Sequence, residues 1–170
     1  MAKLVEQIQV IDWLTLGVAD LDTDRTLDYI SVGNYRRGLV IMNKAAGTAG
    51  DDYNFTVRQA TDASGTSVKD ADIVDEYWQK QAATNLTAVS QFTRSTQTAD
   101  GLISGNATSA EQVVQLVLDL DFARLDTNNG FDFIGATLTL DASGGAQNAA
   151  VTLILYDARY PQATALGALS

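Results

Sequence analysis

The stretch VVQLVLDLDF, residues 113–122, alternates apolar and polar side chains along most of its length. Its even-numbered positions are all apolar, whereas Gln115, Asp119 and Asp121 occupy three of the odd-numbered positions. Successive side chains of a β-strand point to opposite faces, so a period of two places one apolar face against a core. The stretch is therefore predicted to be a half-buried strand.

Several other stretches have the composition of strands. RGLVIM (37–42) and AVTLILY (150–156) are apolar on both faces, as expected for central strands covered on two sides. The remaining predicted strands cover residues 27–32, 53–59, 76–81, 88–95, 132–140 and, with a first helical turn as the alternative, 4–11. Short strands separated by turn-rich links predict an all-β fold. We expect an antiparallel β-sandwich, jelly-roll-like, with roughly eight short strands and little helix.

The N-terminal stretch allows two interpretations. Residues 14–170 are predicted to form the single sandwich domain, and residues 1–13 precede it. Sheet edges accept strands from other chains, so residues 1–13 are either an arm that reaches a neighbouring subunit or an edge strand of their own sandwich. The residues of this segment that would make the contact are Leu4, Ile8, Val10 and Trp13.

The stretch LDTNNGFDFIGATLTLD, residues 125–141, has the acidic and amide residues of a calcium loop but not its spacing. Counted from its first Asp, the sixth position is Phe131 where an EF-hand needs Gly, and the twelfth is Thr137 where it needs Glu. Asn129 and Gly130 both tolerate positive φ and stand between two alternating runs. The pair therefore predicts a β-hairpin turn.

The chain contains neither cysteine nor histidine. These absences exclude disulfides, zinc sites built from Cys and His, and nucleophilic machinery that depends on a His general base. We expect no enzyme, no metal site and no cofactor. A hydrolase that relies on carboxylates alone stays as a minor alternative, because spacing cannot show whether two carboxylates share a cleft.

The formal net charge of −10 argues against a nucleic-acid partner. The only adjacent basic pair is Arg36-Arg37, beside Tyr35, and it is either a small contact site or, as we favour, a solvated strand edge. No run reaches the roughly 18 apolar residues of a membrane span. The start of the chain lacks the pattern of a secretory signal, which favours a protein that stays in the cytoplasm or in an assembly built there.

Three segments together resemble a family of small structural proteins of tailed bacteriophages. They are VRQATDASGTSVKDAD (57–72), LDLDFARLDTNNGFDFIGATLTL (118–140) and VTLILYDARYP (151–161). In that family a strand ends in a turn of the Gln-Ala-x-Asp-Ala-x-Gly type, and a later strand leads through an Asn-Gly turn into the next. The resemblance implies a virion component, commonly a capsid decoration or cement protein on the outer surface of the shell.

A decoration protein of this kind has two partners, the major capsid protein and copies of itself, and we expect a homo-oligomer such as a trimer. The alternatives are a tail tube or head-tail joining protein and, from another class, a carbohydrate-binding β-sandwich module. Large aromatic side chains dominate contact energetics, so Trp13, Trp78 and Tyr160 are candidate anchors, with core packing as the alternative for each. The predicted interface residues are Leu4, Ile8, Val10, Trp13, Tyr35, Arg36 and Arg37.

Overall fold

The computed structural model describes residues 7–15, 24–47, 52–83, 86, 91–97, 101–105, 112–140 and 147–160. These residues form eleven β-strands, two 3₁₀ turns (Phe122–Arg124 and Thr127–Asn129) and no α-helix. The strands are β1 (Gln9–Leu14), β2 (Arg25–Ser31), β3 (Tyr35–Lys44), β4 (Tyr53–Ala60), β5 (Lys69–Asp70), β6 (Glu76–Ala82), β7 (Thr93–Thr96), β8 (Leu102–Ser104), β9 (Val113–Asp121), β10 (Phe133–Leu140) and β11 (Ala149–Ala158). The predicted all-β fold with little helix is confirmed, with more strands than expected.

The strands form two antiparallel sheets that alternate along the chain. One sheet has six strands in the order β1-β11-β3-β9-β6-β7, and the other has the order β2-β10-β4-β5, with β8 also paired to β4. Strand β1 pairs with β11, β2 with β10 and β3 with β9, as in one long hairpin rolled into two layers. This nesting is the jelly-roll arrangement. The β6–β7 hairpin widens the six-stranded sheet beyond β9.

The period of two in residues 113–122 places one face of β9 in the core. Val114, Leu116 and Leu118 are completely buried on that face. The second sheet contributes Phe55 and Ile134 to the same hydrophobic cluster. Complete burial of one such side chain stabilises the fold by about 1.5–3 kcal/mol, so the alternating strands supply the main driving force for packing the two sheets together.

Residues 9–14 form an edge strand of the protein's own sandwich. Gln9 lies opposite Leu155 and Ile11 opposite Leu153 in the β1–β11 pair. Trp13 is 7% exposed and packs in the core. The described part of the N-terminal segment therefore belongs to the domain itself, while Leu4 lies outside the described residues.

The turn predicted at Asn129-Gly130 is present, with the Gly130 N–H donating to the Thr127 carbonyl oxygen at 3.1 Å, but it does not close a hairpin, and of the two residues only Gly130 has a positive φ. Gly130 has a φ of 82° in the left-handed region. However, β9 and β10 lie in different sheets, and the link between them crosses from one layer to the other through both 3₁₀ turns. Asn129 Nδ2 donates to both carboxylate oxygens of Asp126, at 2.8 and 2.9 Å. These turn residues therefore lie in a link that crosses from one sheet to the other.

Candidate protein-binding face

The outward surface of the six-stranded sheet has a band of apolar side chains. Directly opposed residues of antiparallel strands share a face, so the strand register identifies the members. Val10 lies opposite Ile154 and Ile154 opposite Leu39, while Val117 lies between Ile41 and Trp78 in the next row. We call this set the apolar band: Val10, Leu39, Ile41, Trp78, Val117 and Ile154.

The apolar band extends across five neighbouring strands, from β1 to β6. Val10 is 59% exposed, and the other five members are half-buried. Contiguous apolar patches with a polar rim on a protein surface commonly mark contact sites for other proteins. This surface is therefore the strongest candidate for a protein interface among the described residues.

A charged cluster forms one rim of the band. Arg37 donates to the carboxylate of Asp119, and its Nη1 lies 3.7 Å from Asp121 Oδ2. Tyr156 Oη donates to Asp119 Oδ1 at 2.7 Å. The hydrogen bond to Asp119 raises the pKa of Arg37, and burial, with a further contribution from Asp119, raises the pKa of Tyr156. Both shifts favour the protonated groups that donate to Asp119.

The opposite rim combines an amide pair with one positive charge, since Lys80 of β6 lies directly opposite Gln115. Gln115 Nε2 donates to Asn43 Oδ1 at 3.0 Å across the β3–β9 pair. Each rim therefore has hydrogen-bonding groups held in place by cross-strand partners, with the apolar band between them. Side chains fixed in this way lose less conformational entropy when a partner binds.

The basic pair Arg36-Arg37 lies on an interior strand, so the prediction of a strand edge is wrong. Strand β3 runs between β11 and β9, and the arginines are near its first residue, Tyr35. Arg36 Nη1 lies 4.0 Å from Asp157 Oδ1, and Arg159 Nε donates to the carbonyl oxygen of Tyr35 at 3.1 Å. The three arginines line a cleft of about 440 Å³ at this end of the sandwich.

The other predicted interface residues are not gathered at one place. Tyr35 is 4% exposed, with its hydroxyl donating to Gln9 Oε1 at 3.2 Å, and Trp13 is in the core. Ile8 is half-buried just before β1, and Val10 is on the apolar band. The surface role of Ile8, Val10, Arg36 and Arg37 stays a prediction.

Sequence reasoning missed most of the apolar band, although its signal was present. The two-faced apolar runs at 37–42 and 150–156 contain Leu39, Ile41 and Ile154, and we interpreted both faces as covered. Among the described residues, a second layer covers only the inner face of this sheet. The outward side chains of the two runs are therefore half-exposed in the protomer.

The described residues contain no group of three or more Asp, Glu, His or Cys side chains placed to hold a metal ion. No helix in the described ranges is long and apolar enough to cross a membrane. Comparison of the chain with protein-family models and with curated proteins finds no match.

Proposed function

We propose that the protein is a virion structural protein that decorates and stabilises a bacteriophage capsid through protein-protein contacts. The apolar band on the six-stranded sheet is the observation that carries the proposal. Its aliphatic members and Trp78 offer a pre-formed contact surface. The fixed polar groups at both rims would orient the partner on that surface.

The positions of the resembling segments support the same proposal. Segment 118–140 covers the end of β9, the crossover and β10, while segment 57–72 covers the end of β4 and all of β5. Strand β4 pairs with both β5 and β10, so the two segments adjoin in the second sheet. The jelly roll is also an architecture that capsid domains use. The partners proposed are the capsid shell and further copies of the chain.

The test measures binding to preformed capsids that lack the protein. The wild type is expected to bind saturably and to raise the temperature at which the shells disrupt, because binding to the intact shell stabilises it by mass action. The double variant Leu39→Ser, Val117→Ser removes apolar surface from the centre of the band and should bind at least about tenfold more weakly. Tyr160→Ser is the matched control, since Tyr160 is 64% exposed but lies beyond the end of β11.

Two outcomes would contradict the proposal at different levels. If the folded double variant binds as well as the wild type, the contact does not lie on the apolar band. Absence of binding by the wild type, together with electron microscopy that finds the protein in the tail of intact virions, would favour the tail tube or head-tail joining alternative.

A further inference from the structure

A second candidate site lies on the other side of the β6–β7 hairpin, facing the five-stranded sheet. A cleft of about 280 Å³ opens there between β6 and β7 on one side and Ser104 of β8 on the other. It continues along Tyr77 and Ser104 into a smaller pocket of about 120 Å³. Tyr77, Gln79 and Gln81 line the cleft from the face of β6 opposite to Trp78 of the apolar band, whereas Lys80 reaches it from the same face as Trp78.

The residues of β6 that line the cleft do not follow the apolar pattern of the core positions on the neighbouring strand. Inward positions of the neighbouring strand β9, such as Leu116 and Leu118, are apolar and completely buried. The residues opposite them on β6 are Gln79 and Tyr77, and Gln81 lies opposite Val114. Two of these three inward positions of β6 are therefore amides, and all three are half-exposed. Packing does not account for polar side chains at positions that could extend the core.

The amides are oriented by a chain of hydrogen bonds that begins in the core. Tyr53 is completely buried, and its hydroxyl donates to Gln79 Oε1 at 3.0 Å. Gln79 Nε2 donates in turn to Gln81 Oε1 at 2.7 Å. This order leaves the Gln81 Nε2 group without an acceptor among the described residues. A glutamine amide carries two donor hydrogens, so Gln81 presents a fixed pair of donors to the cleft.

The rest of the lining determines which ligands suit the cleft. Thr93 and Ser95 of β7 and Ser104 of β8 supply hydroxyl groups that both donate and accept. The Tyr77 ring supplies the aromatic surface. Among the described residues that line the cleft there is no Asp or Glu, and Lys80, which lies over the Phe92 ring at 4.3 Å, is the one charged residue. The cleft offers many neutral hydrogen bonds and one flat apolar surface.

We propose that this cleft binds a neutral saccharide. A sugar ring has hydroxyl groups around its edge and an apolar C–H face, and the cleft has partners for both: amides and hydroxyls for the edge, and the Tyr77 ring, beside Gln79 on the same face of β6, for the apolar face. The volume of about 280 Å³ lies just below the usual range of small-molecule sites, roughly 300–1,000 Å³, and suits one ring, with the smaller pocket open to a neighbouring unit. An extended peptide would need pockets for alternating side chains, and most of the lining here is polar. The inference is independent of the proposed capsid role.

The test uses saturation-transfer NMR of the full chain with cellobiose, maltose, lactose and chitobiose, together with a printed glycan array. The wild type is expected to transfer saturation to at least one of these sugars. Gln81→Leu keeps a side chain of similar volume but removes both the donors and the acceptor for Gln79, and should weaken binding about fivefold or more. Gln7→Leu is the matched control: it removes the same group from an exposed residue just before β1, at the opposite edge of the six-stranded sheet, and should change affinity less than about twofold.

Thermal unfolding of both variants verifies that each is folded before binding is compared. Absence of saccharide binding by the wild type in both assays would overturn the proposal, and so would equal binding by folded Gln81→Leu. Selection of peptides whose binding is lost in Gln81→Leu, with no sugar bound, would assign the cleft to a peptide instead. A wild type that binds capsids but no sugar would overturn this inference alone.

Discussion

Trp13 Nε1 donates to the backbone carbonyl oxygen of Asp28 at 2.7 Å, which connects the edge strand of one sheet to the edge strand of the other. Trp13 belongs to β1 and Asp28 to β2, and these strands are at the same end of the jelly roll. The indole ring is buried between the layers. Trp13 thus packs between the two sheets and also forms a hydrogen bond from one sheet to the other, at the end where the sandwich would otherwise open.

Substitutions at Trp13 should separate these two contributions. Trp13→Phe keeps most of the apolar surface and loses the donor, so the free energy of unfolding should fall by about 1–2 kcal/mol. Trp13→Ala also leaves a cavity and should cost about 3–5 kcal/mol. Urea denaturation measures both, with Tyr160→Ser as an exposed control expected to stay within about 0.5 kcal/mol. A cost below about 1 kcal/mol for Trp13→Ala would contradict core packing.

Three glycines predict a graded series when each is replaced by alanine. A Cβ at Gly33 would lie 3.9 Å from its nearest neighbour, Asp132 Oδ2, so this variant should be almost neutral. Gly130 has open space but a φ of 82°, so alanine there should cost about 1–2 kcal/mol of backbone strain. A Cβ at Gly135 would lie 2.4 Å from Tyr29 Cε1, and displacing that buried ring should cost about 1–3 kcal/mol or more.

Thermal and chemical unfolding of the three variants tests the series. A neutral Gly130→Ala would show that its left-handed conformation is not required, and a neutral Gly135→Ala would show that Tyr29 can move without loss. Gly33→Ala is the internal control for the substitution itself.

Strand positions and the jelly-roll class followed from the sequence because period-two patterning is local. The runs at 53–59 and 132–140 correspond closely to β4 and β10, and their alternation matches the burial. The pairing of the strands with one another did not follow from the sequence. The positive φ expected of Asn129-Gly130 is found at Gly130 but not at Asn129. Turn chemistry says nothing about the sheet that receives the next strand, because that choice depends on closing a core between two layers.

The candidate site was predictable only in part for the same reason. The sequence showed that Leu39 and Ile154 lie on a second apolar face, but not whether another layer covers it. The apolar band appears only when cross-strand register brings Val117 beside Ile41 and Trp78. The hydrogen-bonded cleft also depends on contacts between distant parts of the chain, such as Tyr53 with Gln79.

The Arg37–Asp119 pair should show measurable coupling, unlike the neighbouring Arg36–Asp157 pair. Arg37 and Asp119 are about one-third exposed, and Tyr156 holds the carboxylate. Arg36 and Asp157 are 62% and 48% exposed and 4.0 Å apart. Double-mutant cycles to alanine should give about 0.5–1 kcal/mol for the first pair and close to zero for the second. Equal coupling energies for the two pairs would show that Tyr156 and the lower exposure do not strengthen the interaction between Arg37 and Asp119.

Stability should decrease at alkaline pH partly because of Tyr53. Burial raises the pKa of Tyr53, so the folded state keeps this proton when the unfolded state, with a pKa near 10, has lost it. The stabilisation is therefore complete below about pH 10 and is lost as the pH rises through and above that value. Tyr53→Phe should be less stable at pH 8, because its partner Gln79 loses a hydrogen bond, but its stability should fall less steeply above pH 10.

Urea denaturation at several values between pH 8 and pH 11.5 measures the two slopes. When the unfolded tyrosine is fully ionised, the folded wild type holds one proton more than its unfolded chain. Its free energy of unfolding should then fall by about 1.4 kcal/mol more per pH unit than that of Tyr53→Phe. The other tyrosines with raised pKa are present in both proteins, so their effect cancels in the comparison. Parallel pH profiles would contradict a Tyr53 that stays protonated in the fold.

Deletions at the N-terminus should distinguish an edge strand from an arm. Removing residues 1–6 leaves β1 in place, so the protein should unfold at nearly the wild-type urea concentration. Removing residues 1–14 takes away β1 and Trp13, uncovers the inward side chains of β11 and leaves its backbone groups unpaired. This shorter chain should aggregate or lose cooperative unfolding, as measured by size-exclusion chromatography and circular dichroism. If it instead stayed monomeric with normal unfolding and lost only its binding to capsids, β1 would be a detachable arm and its role in the core would be refuted.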